Sequence, residues 1–147
     1  MVSCCPEGSH GIPASSYVDA KGNLETWIID GKETETYTVG PSEAHITVVF
    51  AQDIFSLHAG RIKGLADFLA DKGYRVIAPD LHKGDSVVIS PDFMSKLKDW
   101  LVAHPHDEIV RILDNVVKQV SGEGKKVVGV GFCWGTFIWY HAQKAGV

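Results

Sequence analysis

Five consecutive residues, Gly131-Phe132-Cys133-Trp134-Gly135, put a thiol between two glycines, each two positions away. That spacing is the Gly-x-nucleophile-x-Gly pattern of a nucleophile elbow, with cysteine in place of serine. The chemistry such a turn serves is acyl transfer. A nucleophile held on a sharp strand-to-helix turn leaves no room for side chains two residues to either side, which would strike it or the neighbouring strand. Glycine at both places removes the clash. The same turn sets the thiol at a helix N-terminus, where the macrodipole favours thiolate over thiol. The competing reading is an inert cysteine in a tight turn.

Attack by a thiolate on a carbonyl creates an oxyanion, which an elbow holds with two backbone N–H groups. One comes from the residue after the nucleophile, here Trp134. The other comes from a loop at the carboxyl end of a nearby strand, where ligands bind in parallel sheets. Ala51-Gln52-Asp53-Ile54-Phe55 follows an apolar run and is that loop, so Ile54 is the second donor. Asp53 also reads as a turn residue whose carboxylate satisfies loop amides. A rival use of Gly129, Gly131 and Gly135 is dinucleotide binding. Its third glycine belongs where Trp134 stands, and an indole there obstructs a pyrophosphate.

These residues need a sheet with helices to present them. His45 to Ala51 is a continuous apolar, β-branched run, as for a strand covered on both faces. Ile62, Leu65, Ala66 and Leu69 share one helical face, and Gly73 closes that helix. Tyr74–Ala78 is the next buried strand. Ser90-Pro91 reads as an N-cap with proline at the first helical position, and Phe93, Leu97, Trp100 and Leu101 line the helix that follows. A further helix starts near Pro105 and carries Ile109, Ile112, Leu113, Val116, Val117 and Val120 at the helical period. The run from Lys125 to Phe132 reads as a third buried strand, and Trp134–Lys144 as the last helix, with Phe137, Ile138 and Ala145 inward. Ahead of these, Glu25–Ile29 and Glu35–Val39 flank Asp30-Gly31 as a hairpin. Strands alternating with helices imply an α/β fold, a doubly wound and mostly parallel sheet with helices on both faces. Residues 1–21 form a Gly-, Ser- and Pro-rich lead-in, and residues 22–147 the domain.

Composition narrows the function classes. A chain of 147 residues with 45% hydrophobic and 22% charged side chains builds a core. Its 14 basic against 18 acidic residues, with no basic run beyond Lys125-Lys126, argue against nucleic acid as a partner. No apolar run approaches the roughly 18 residues of a membrane span, and no signal segment opens the chain. The cysteines Cys4, Cys5 and Cys133 form no disulfide framework, which points to a reducing, cytoplasmic setting. Cys4, Cys5 and His10 lack the second ligand pair of a structural zinc site, so neither metal nor cofactor is expected.

Three blocks together, Ala51-Gln52-Asp53-Ile54-Phe55, Pro79-Asp80-Leu81 and Gly131-Phe132-Cys133-Trp134-Gly135, resemble the dienelactone hydrolases, or carboxymethylenebutenolidases, of the α/β-hydrolase fold. They occur in the family's order, and the resemblance covers about residues 25 to 147. It implies a cysteine hydrolase of enol-lactones or small esters that works through a thiol ester. Cys133 is then the nucleophile, and Ile54 and Trp134 are the oxyanion donors. In the family an acidic residue at the Asp53 position contacts the resting thiol and helps control its ionisation. Glutamate is usual there, and aspartate is one methylene shorter. Thr136 replaces a glycine usual after the elbow. Bacterial members carry an arginine soon after the leucine of the second block, where this chain reads His82-Lys83-Gly84-Asp85.

The triad acid and histidine are not in view. In this fold they follow the nucleophile, and the 14 residues after Cys133 hold no carboxylate and one histidine, His141, two helical turns on. His58 and His82 follow strand ends and are alternative bases, each read first as a solvated loop residue. The resemblance assigns the acid and base to the C-terminal half of the family domain, which this chain lacks. Its last strand then becomes an open apolar edge, and a second chain or a homo-oligomer is a possible partner besides the small-molecule substrate. The other function class is a non-catalytic fragment or interaction module in which Cys133 is a reactive, redox-sensitive thiol.

Overall fold

Side chains that alternate between two buried faces dictate the sheet. In the computed structural model, which describes residues 20–58, 62–122 and 124–147, the strands are β1 (Asn23–Ile29), β2 (Lys32–Val39), β3 (Ile46–Ala51), β4 (Arg75–Pro79) and β5 (Lys126–Gly131). The helices are α1 (Ile62–Ala70), α2 (Phe93–Ala103), α3 (His106–Val120) and α4 (Trp134–Lys144). Cys4, Cys5, His10 and most of the lead-in lie outside the described residues. None of the described helices is long and apolar enough to cross a membrane.

The strand order is β1-β2-β4-β3-β5. β3 pairs in parallel with β4 and with β5, while β1, β2 and β4 pair antiparallel in succession. Val48 and Phe50 of β3, with Val76 and Ala78 of β4, face α1 through Ile62 and Ala66. Val49, Ala51 and Ile77 point the other way, into a core with Leu113 and Val116 of α3 and Ile138 and Ala142 of α4. Each such aliphatic side chain contributes about 1.5–3 kcal/mol when fully buried, so two covered faces explain the unbroken apolar runs. α1 carries a buried acid as well. Asp67 accepts the Tyr37 hydroxyl and the Lys21 N–H (3.1 Å), and Gly22 N–H donates to the same hydroxyl at 2.7 Å, which fastens the chain ahead of β1 to the helix.

Several local expectations are corrected. α2 begins at Phe93 with Asp92 at its cap, because the Ser90 hydroxyl donates to Asp92 at 2.6 Å and the Ser90 carbonyl accepts Phe93 N–H in a turn. Leu101, Phe137 and Ala145 are exposed. The inner face of α4 is Trp134, Ile138 and Ala142, spaced by four, since the helix meets the sheet at its first residue. β5 is less covered than its sequence suggests. It ends the sheet, and Val128 is 44% exposed.

Candidate active site

Parallel pairing of β3 with β5 sets Ala51 opposite Gly131, so the chain leaves both strands at the same level and the same end. The loop that starts Gln52-Asp53-Ile54 and the turn that starts Phe132-Cys133-Trp134 therefore emerge side by side, about one strand spacing of 4.8 Å apart.

The turn at Cys133 is strained. Its backbone has φ 52° and ψ −116°, and Gly135 N–H donates to the Phe132 carbonyl at 2.8 Å. These angles and that bond make a type II′ turn with cysteine where glycine normally stands, at a cost of about 1–3 kcal/mol. The thiol is exposed. Both flanking glycines are obligatory for space. A Cβ on Gly135 would lie 2.0 Å from the Ala51 carbonyl oxygen, and one on Gly131 would lie 2.5 Å from the backbone of Gly135. The elbow is thus pressed against the end of β3 with no room for a methyl group.

The facing loop is held from several sides. Gln52, fully buried, donates through Nε2 to the Pro79 carbonyl at 2.6 Å and ties the ends of β3 and β4. Asp53 Oδ1 accepts Phe55 N–H at 2.9 Å, the turn role expected of it. Burial raises the Asp53 pKa above the ordinary aspartate value, and that hydrogen bond partly offsets the rise. Ile54 is buried and its carbonyl accepts Val87 N–H at 3.0 Å, which joins this loop to the one after β4.

The three histidines considered as bases sit in different surroundings. His82 is no solvated loop residue. It is fully buried, with its ring edge-on to Trp134 at 4.7 Å and to Trp100 at 4.8 Å. Burial is the main cause that pushes its pKa down to about 3, helped by His104 and opposed by Asp85, so its ring is neutral at pH 7. Neither ring nitrogen has a hydrogen-bond partner. His58 points away from the elbow. Its Nε2 lies 2.5 Å from Glu35 on β2, and β4 and β3 stand between β2 and β5, so roughly 14 Å of sheet separates that pair from the turn. His141 packs on α4 against Phe137 and His106, with ring centres 4.4 Å apart in each case.

Residues 34–147 match the model of the dienelactone hydrolase family. The chain belongs to that family. Among its relatives, an endo-1,3;1,4-beta-D-glucanase of Zea mays is 31% identical over 67% of this chain and 31% of its own length. The carboxymethylenebutenolidase homolog of Rattus norvegicus is 30% identical over 72% of this chain and 44% of its own. A crystal structure of a Klebsiella pneumoniae protein described as a dienelactone hydrolase superposes with a TM-score of 0.66 at 26% identity, over 82% of this chain and 53% of the other. The chain thus spans about a third to a half of the curated relatives it matches.

Departures from the dienelactone hydrolase pattern have local explanations. Thr136 turns its hydroxyl back to donate to the Gly131 carbonyl at 2.8 Å, which braces the elbow across its own turn. The segment where bacterial members place an arginine is exposed and tied to the start of α3 and the end of α2 by ion pairs. Lys83 Nζ lies 3.3 Å from Glu108, and Asp85 pairs with His104 at 2.9 Å. The buried rings of His82, Trp100 and Trp134 form a nest at the start of α4. Sequence reasoning missed it because its members come from three elements with no common period.

Proposed function

We propose that Cys133 is the nucleophile of a dienelactone hydrolase-like enzyme acting on enol-lactones or small esters. The observation that carries this reading is the elbow itself, a positive-φ cysteine flanked by two glycines whose Cβ positions are already filled by backbone. A strained turn of that kind persists where it serves to present the residue at its apex. In the proposed reaction the Cys133 thiolate adds to the substrate carbonyl, and the backbone N–H groups of Ile54 and Trp134 hold the oxyanion. Collapse of that intermediate breaks the C–O bond, releases the enol or alcohol oxygen and leaves a thiol ester. Asp53, on the loop beside the elbow, tempers the thiol: a carboxylate there disfavours thiolate until substrate arrives. Hydrolysis of the thiol ester needs a base to activate water; His58 is paired with Glu35, His141 packs against His106, and His82, buried with its pKa lowered to about 3, is a weak base.

p-Nitrophenyl acetate tests the proposal with the 147-residue chain. The expected result is a release of about one equivalent of nitrophenolate, followed by stalling, and its loss in Cys133→Ala. An unchanged release in Cys133→Ala would remove this residue as nucleophile. Sustained turnover dependent on Cys133 would keep the nucleophile and show that a base reaches the thiol ester.

A further inference from the structure

Three side chains from separate elements meet at the carboxyl ends of β3 and β4, on the β2 side of the sheet and about three strand spacings across it from β5 and its elbow. Glu35 lies on β2, His58 in the loop after β3, and Asp80 just past β4. Each offers one donor atom, and these atoms all lie within 4.8 Å of one another. The β2–β4 pairing fixes two of them: Thr36 faces Pro79, and Asp80 N–H donates to the Glu35 carbonyl at 2.7 Å. We propose that Glu35, His58 and Asp80 form a binding site for a divalent metal cation.

The donor set is one imidazole nitrogen and two carboxylates, which suits a cation of intermediate to hard character. Charge points the same way. Among the described residues, the ion pairs give neither Glu35 nor Asp80 a lysine or arginine, and His58 is the one basic partner of Glu35. Two carboxylates against one imidazole leave negative charge that a dication neutralises. Glu35 Oε1 is shielded from solvent yet accepts no well-formed hydrogen bond, although His58 Nε2 is 2.5 Å away. Asp80 is already held for the task. It is 5% exposed, and His82 N–H (3.2 Å) and Gly84 N–H (2.6 Å) orient its two oxygens, as outer-shell donors orient ligating carboxylates.

A cation there would fasten the end of the loop that begins Gln52-Asp53-Ile54 to the β2–β4 corner. Glu35, on β2, lies about three strand spacings from β5, so the cation would not touch the reacting atoms and could act on the proposed thiol chemistry only through that loop.

Titration of the 147-residue chain with Mn2+, followed by the electron paramagnetic resonance signal of the unbound ion, tests the site. Mn2+ is the probe because it prefers oxygen and nitrogen donors and leaves the cysteines alone. The expected result is about one bound equivalent, with affinity lowered at least about tenfold in His58→Ala and in Glu35→Gln. Both side chains are more than 40% exposed, so the variants are expected to fold, and circular dichroism checks that they do. Absence of binding by the folded wild-type chain at millimolar Mn2+ would overturn the proposal. So would binding that survives unchanged in both variants.

Discussion

Replacing Gly135 by alanine tests whether the elbow is as tightly seated as its geometry says. The new Cβ would meet the Ala51 carbonyl oxygen at 2.0 Å, the Ala51 carbonyl carbon at 2.6 Å and the Gln52 carbonyl oxygen at 2.8 Å. All three are backbone atoms of β3 and its outgoing loop, so no side-chain rotation relieves the contact. The first turn of α4 must instead move off the sheet by more than 1 Å, taking with it the packing of Trp134 and Ile138 on β3. Overpacking against backbone atoms falls at the upper end of the usual range, about 3 kcal/mol, while alanine returns about 1 kcal/mol of helix propensity over glycine. A net loss of about 2 kcal/mol corresponds to a urea midpoint lower by about 1 M for a chain of this size. Gly122→Ala is the control. Its nearest neighbour is the Lys125 side chain at 3.8 Å, an ordinary contact, and its effect should stay within about 0.5 kcal/mol. Equilibrium urea unfolding of the three proteins, followed by tryptophan fluorescence, gives the comparison. A Gly135→Ala midpoint equal to that of wild type would refute the argument, because it would mean that α4 does not press on the end of β3.

Two further outcomes follow from the electrostatics. Asp53→Asn should let Cys133 ionise at lower pH, since removal of a half-buried carboxylate on the adjoining loop leaves the helix dipole unopposed; iodoacetamide labelling rate against pH measures it, and an unshifted profile would show that Asp53 does not govern the thiol. His82, with a pKa lowered from 6.5 to about 3, must be deprotonated to stay in its nest, so its contribution is whole above pH 6.5 and lost as pH falls; at pH 5 that loss is about 2 kcal/mol. Burial raises the pKa of Asp53 and of Asp80, so those groups favour the folded state as pH falls, which opposes the histidine. His82→Phe isolates the imidazole: in chelator-containing buffer its urea midpoint should fall less than that of wild type between pH 7 and pH 5, and equal falls would contradict the burial of a neutral ring.

Much of the architecture was legible in the sequence because it is written in local patterns. The run from His45 to Ala51 needed only its unbroken β-branched character to declare a strand covered on both faces, and β3 is that strand. Ile109, Ile112, Leu113 and Val116 needed only their period to place the inner face of α3, and Gly131 and Gly135 needed only their spacing to announce the turn at Cys133. Helix period, strand alternation and glycine geometry all act over a few residues, so a linear reading captures them. What the tertiary structure alone decided depends on strand order. Asp80 meets Glu35 because β2 lies beside β4, and His58 joins them because the loop after β3 crosses that pair. His82 is buried because α2 and α4 bring Trp100 and Trp134 over it from opposite ends of the second half of the chain. The exposure of Phe137 likewise follows from where α4 first touches the sheet, which sets the angle of every residue after Trp134. Contacts of this kind join residues tens of positions apart, and no local periodicity records which strand will become whose neighbour.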